Sequence, residues 1–165
     1  MFIALSVVGY AGLLWVALAP GLALWTKRRI VSTTALTAGC VWATDLITVV
    51  VKAAVDRPRP FSTVPEADPL FGGTMGSSFP SGHAATAFAG AVILAVLVRR
   101  AVPLLLALAV LVAFSRIYLG VHYPLDVLGG AAIGAALALA LAYALRALPR
   151  PSEARRRSGG AQPPD

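Results

Sequence analysis

The sequence predicts an all-α fold, a polytopic membrane helix bundle with about five transmembrane helices. Of its 165 residues 58% are hydrophobic and only 13% charged, and the apolar residues gather into five long runs. Mean hydropathy is +0.80, more apolar side chain than one soluble core of this length can bury. A helix needs about 20 apolar residues to cross the hydrocarbon layer, and each run is near that length.

The first run covers residues 2–25. It lacks a basic leader, is long for a secretory signal, and is followed directly by Lys27, Arg28 and Arg29. It therefore reads as a retained spanning helix, bent at Pro20-Gly21. The second run, 30–51, holds Cys40, the sole cysteine, which has no disulfide partner and reads as a small packing residue. The third, 81–98, begins within Pro80-Ser81-Gly82-His83. The fourth, 101–119, has Pro103 near its start, where a missing N–H is tolerated. The fifth covers 124–148. Residues 1–148 thus form the membrane domain, and the Arg-, Pro-, Ser- and Gly-rich stretch 149–165 is expected to be a disordered basic cytoplasmic tail.

The net charge of +7 does not point to nucleic acid, because the basic residues form no stripe interleaved with aromatics. They flank the apolar runs. With five spans, Lys27 to Arg29, Arg99-Arg100, Arg146, Arg150 and Arg155 to Arg157 all fall on one side, which the positive-inside rule makes cytoplasmic. The N-terminus is then outside and the C-terminus inside. Lys52, Arg57, Arg59 and Arg116 fall on the outer side, where topology does not ask for cations; a shared anionic ligand does.

Three segments at outer ends of spans carry the candidate chemistry: Lys52 to Pro60, Pro80 to His83, and Ser115-Arg116 through His122 to Asp126. Converging Arg and Lys side chains make a phosphate site, Arg by bidentate contact and Lys as a point charge. Ser81 is placed as a helix N-cap, and Gly82 behind it lets an anion approach the free N–H groups of the first turn. His83 and His122 are the only histidines. Asp126, at i+4 from His122 across a helix start, can hold one ring nitrogen and raise the nucleophilicity of the other; it also suits the helix dipole. One imidazole can then attack phosphorus while the second protonates the departing oxygen. No carboxylate cluster suits a magnesium pair: Asp45 is expected to be buried mid-span, and Glu66 and Asp68 lie in a loop with no histidine nearby in sequence. The expectation is chemistry without metal or other cofactor.

These segments resemble the signature of the type 2 phosphatidic acid phosphatase family, which also includes the vanadium haloperoxidases. Lys52-x6-Arg59-Pro60, Pro80-Ser81-Gly82-His83 and Ser115-Arg116-x5-His122-x3-Asp126 match its three parts without a mismatch, within about residues 45–148. The resemblance implies that Lys52, Arg59, Ser81, Gly82 and Arg116 bind phosphate. It implies that His122 forms a phosphohistidine, assisted by Asp126, with His83 as general acid. Arg57 lies outside the signature and is taken as an auxiliary charge, and Ser115 is not expected to touch phosphate. Many membrane members resemble a six-helix pattern; here one span fewer precedes the first motif.

The function expected on this basis is hydrolysis of a lipid phosphate at the outer membrane face. The substrate is a polyprenyl phosphate, diphosphate or sugar-linked derivative, with a glycerolipid phosphate as the alternative. A non-catalytic lipid-binding membrane protein is the reading from a different class, and a soluble haloperoxidase does not fit so apolar a chain. The expected partners are the bilayer and its lipid phosphate; the sequence does not fix an oligomeric state. The loop 61–79 either covers the site or merely connects two spans.

Overall fold

The computed structural model describes residues 12–63 and 76–147. The start of the first apolar run, most of the loop 61–79, and the C-terminal tail lie outside the described residues. Those described form α1 (Leu13–Trp25), α2 (Ile30–Val55), the short α3 (Pro60–Thr63), α4 (Gly82–Leu97), a 3-10 turn (Arg99–Ala101), α5 (Val102–Tyr118) and α6 (Pro124–Ala147). No strand occurs among them.

The helices follow the apolar runs with one difference. Helix α2 continues to Val55, so Lys52 stands in its last turn and not in the loop beyond. Helix α1 continues through Pro20 as one element. Ile30–Thr63, Arg99–Tyr118 and Pro124–Ala147 are long and apolar enough to cross a membrane, while Leu13–Trp25 and Gly82–Leu97 are apolar but shorter.

Helix α4 sits at the centre, packed against all four other long helices. Its sequence explains this, since Ala84, Ala85, Ala87, Ala89, Gly90 and Ala91 let neighbouring backbones come close. A Cβ on Gly90 would overlap the ring of Trp15, which is buried from α1. A Cβ on Gly130 would overlap the Ser81 carbonyl oxygen, and one on Gly134 the Ala85 carbonyl oxygen. Helices α4 and α6 therefore run parallel with backbones in direct contact. Many large apolar residues face outward, Val31, Leu104, Leu128 and Tyr143 among them. Small residues where helices touch and large apolar ones on the outer surface are the pattern of a bundle solvated by lipid, where tight backbone packing rather than burial from water joins the helices.

The same packing makes a recess. The start of α4 lies beside Asp45 and Thr48 of α2, each 3.9 Å from where a Gly82 Cβ would stand. Helix α2 then continues seven residues past Thr48 to Val55, roughly 10 Å of further rise. The N-terminus of α4 is therefore sunk below the rim. Asp45 corrects the sequence expectation: it is half-buried and turned toward this recess, and is not enclosed mid-span.

Candidate active site

Three chain segments meet over the start of α4. Ser81 caps that helix, its hydroxyl accepting from Ala84 N–H at 3.4 Å, while its own N–H donates to the Asp126 carbonyl at 2.9 Å. That backbone bond ties the first turn of α4, with Gly82 and His83, to the first turn of α6, with Asp126. His122 lies two residues before α6. Both imidazoles thus belong to the same end of the bundle.

The cations enter from α2 and the strap after it. Lys52 Nζ donates to the Ser77 carbonyl at 2.8 Å, and Arg59 reaches the same oxygen at 3.4 Å. Arg59 also donates to the carbonyls of Gly76 and Val121, both at 3.0 Å. Two positive groups therefore share one oxygen, and the larger of them is fixed to the residue preceding His122. An anionic oxygen could take the place of the Ser77 carbonyl between them. Arg116 is buried at the end of α5, where two of its nitrogens meet Ser115 Oγ at 3.0 and 2.9 Å. Ser115 thus orients Arg116.

Asp126 is fully buried and its carboxylate is crowded with donors. Oδ1 accepts from Arg57 at 2.9 Å; Oδ2 accepts from Ser78 Oγ at 2.5 Å and from Tyr123 N–H at 2.9 Å. Its distance to His122 Nδ1 is 3.7 Å, beyond direct hydrogen-bond length, while Ser78 Oγ lies 3.5 Å from the same nitrogen. The carboxylate and the Ser78 hydroxyl together flank Nδ1 and leave Nε2 for chemistry. Such bonds often tighten only when substrate arrives.

One of these partners, Ser78, is absent from the sequence reading, and another, Arg57, has a more specific place than that reading gives it. Ser78 carries no signal beyond standing two positions before Pro80. Arg57 was assigned as an auxiliary charge, but its side chain pairs with Asp126 and stacks over the Tyr123 ring at 4.4 Å. The Arg-Pro-Arg-Pro run explains this division, because Pro58 holds the strap extended and Arg57 and Arg59 leave it toward different partners.

Burial, then the charges of Arg59 and Lys52, hold the His122 pKa down to about 3, with Asp126 opposing them. The ring is neutral at ordinary pH, as a nucleophile must be. This has a consequence for stability. An unfolded histidine titrates near 6.5. Below that pH the unfolded chain takes up a proton that the folded chain refuses, so stability is full above about 6.5 and declines down to about 3. Thermal unfolding in detergent is expected at lower temperature at pH 5 than at pH 7.5, by about 2 kcal/mol of stability, and His122→Asn should shrink the difference. Equal shifts in both proteins would refute the assignment.

The fold and site together define a class: an apolar helix bundle with both histidine-bearing turns, and the cations Lys52 and Arg59, at one end. The family model of the PAP2 superfamily matches residues 30–150, and the chain belongs to that family. Among curated relatives, the bacitracin transport permease protein BcrC of Bacillus licheniformis is 40% identical over 81 residues, 49% of this chain and 40% of its own. The decaprenylphosphoryl-5-phosphoribose phosphatase of Mycolicibacterium smegmatis is 40% identical over 127 residues, covering 77% of this chain and 68% of that protein. The chain thus spans under half of the first relative and about two thirds of the second. Among solved structures, a transmembrane PAP2-type phosphatidylglycerolphosphate phosphatase from Bacillus subtilis superposes with a TM-score of 0.70 at 25% identity, covering 90% of this chain and 78% of that one. The chain is accordingly a multi-pass membrane protein.

Proposed function

We propose that the protein is a lipid-phosphate phosphatase that works through a phosphohistidine at His122. The observation that supports this best is the joint placement of Lys52 and Arg59 on one oxygen, with Arg59 also anchored at Val121 beside a neutral His122. A phosphoryl group entering the recess would meet both cations, the Ser81-Gly82 helix start and Arg116. Its negative charge would offset the positive field on His122. Nε2 then attacks phosphorus, the P–O bond to the lipid breaks, and His83 gives its proton to the departing oxygen. Water, deprotonated by His83, attacks the phosphohistidine and releases inorganic phosphate and the free imidazole. Asp126, held by Arg57, Ser78 and Tyr123, fixes the ring through Nδ1.

The substrate we assign is a polyprenyl phosphate, diphosphate or sugar-linked derivative, in line with the decaprenyl-linked substrate in the name of the Mycolicibacterium smegmatis relative. A glycerolipid phosphate is the second reading, favoured by the name of the Bacillus subtilis structural neighbour. Orientation follows the cation distribution: site outside, C-terminus in the cytoplasm. Labelling of Lys27 from outside intact cells would overturn that orientation.

Phosphate release by the purified protein from a panel of polyprenyl and glycerolipid substrates tests the assignment. Faster release from polyprenyl substrates is expected, and a glycerolipid preference would replace the first choice by the second. Vanadate should inhibit as a mimic of five-coordinate phosphorus. Activity should persist in a chelator; loss there with recovery on adding magnesium would reject the metal-free mechanism.

A further inference from the structure

The end of the bundle away from the recess holds a second group of cations that this chemistry does not use. A cavity of about 370 Å³ opens there between the α1–α2 turn and the α4–α5 turn, lined by Trp25, Lys27, Arg28, Arg99 and Arg100. A neighbouring cavity of about 250 Å³ shares Arg28 and Leu97 with it. This second space runs along Leu36, Ile93, Val96 and Leu145 toward Arg146. Among the described residues, no carboxylate lines either one.

Topology accounts for basic residues at this end. It does not account for their convergence on a cavity, nor for an aliphatic channel leading away from it. Four like charges around one space make it attractive to an anion. Lys27 adds a second sign of purpose. It occupies the left-handed region at φ 53°, where glycine is the usual residue, and the Arg28 N–H closes the turn on the Ala23 carbonyl at 2.8 Å. The strained position holds a cation, and the turn sets Lys27 and Arg28 together on the cavity wall.

We infer that this groove binds an anionic glycerophospholipid, its phosphodiester among Arg28, Arg99 and Arg100 and an acyl chain along the wall between α2 and α6. Basic pockets between membrane helices recognise acidic head groups in this way. The aliphatic channel decides for a lipid over free phosphate, which would use the basic mouth alone.

Native mass spectrometry of the full chain in detergent, offered equal phosphatidylglycerol and phosphatidylcholine, tests the inference. Preferential retention of phosphatidylglycerol is expected, unaffected by excess inorganic phosphate. The double variant R99Q/R100Q should lose about fivefold in retention for each arginine neutralised. Both residues are exposed on a short turn, so the bundle does not depend on them. Independently of any variant, rising salt should erode the preference of the wild type. Lys52→Gln, in the recess at the other end, should leave retention unchanged. Equal retention of the two lipids, an R99Q/R100Q result matching wild type, displacement by phosphate, insensitivity to salt, or loss in Lys52→Gln would each overturn it.

Discussion

Replacing His122 by alanine is expected to lower phosphate release by roughly four orders of magnitude or more, since loss of a nucleophile removes the covalent route altogether. Asp126 and Ser78 flank Nδ1 of the ring, while Arg59 grips the carbonyl of Val121 just before it. No other imidazole can take its place without rebuilding the α5–α6 turn. The neighbours should rank by what they touch. His83→Ala removes the proposed general acid and base, a loss of about 10²–10⁴; a substrate with a strongly acidic leaving group should recover the phosphorylation step but not the hydrolysis of the intermediate. Arg57→Gln spares the proposed phosphate-binding groups but removes the ion pair to Asp126 and the stacking on Tyr123, so a decrease of about 10- to 100-fold is expected. Acid-stable quenching is unsuited to a phosphohistidine, so the intermediate is best sought by alkaline quench with radiolabelled substrate. Label on wild type but not on His122→Ala is the expected pattern. Label on both proteins would move the nucleophile elsewhere and take the mechanism with it.

Much of this arrangement was legible from sequence, because its determinants are local. Apolar run length sets the helices, and Ser81-Gly82 announces a helix start. The spacing from His122 to Asp126 places both at another. What stayed hidden depends on how helices approach one another. Asp45 looked enclosed because it is the sole charged residue within its run; the position of the α4 start turns it toward the recess. Ser78 became a partner of Asp126 because Arg57 and Arg59 bind the chain at 76–78 and draw it over the α6 start. Serines of that kind carry no distinctive spacing. Arg57 and Arg59 are equivalent in composition, yet the extended strap sends one to a carboxylate and the other to carbonyls. A one-dimensional pattern does not contain that divergence. The five-helix outline, by contrast, needed only hydropathy and flanking charge.

The close approach of α6 to α4 yields the second large effect. Gly130→Val or Gly134→Leu should disable both the bundle and the site, although neither glycine touches substrate. The side chain added at Gly130 meets the Ser81 carbonyl oxygen and, at 3.2 Å, the Ala85 nitrogen. At Gly134 it meets the Ala85 carbonyl and, at 2.9 Å, the Ala89 nitrogen. These are backbone atoms of a helix buried on nearly every side, so no rotamer change relieves the clash and the two helices must part. Parting them breaks the bond from Ser81 N–H to the Asp126 carbonyl that holds one histidine-bearing turn against the other. Overpacking of this kind costs about 1–3 kcal/mol where side chains can yield, and more is expected against backbone. The thermal midpoint in detergent should fall by several degrees, and activity should fall further than the loss of folded protein explains. Leu128→Ala, on the exposed face of the same helix, is the control and should change stability by less than about 0.5 kcal/mol. If Gly134→Leu retained the wild-type midpoint and rate, the backbone contact between α4 and α6 would not be what aligns the two halves of the site.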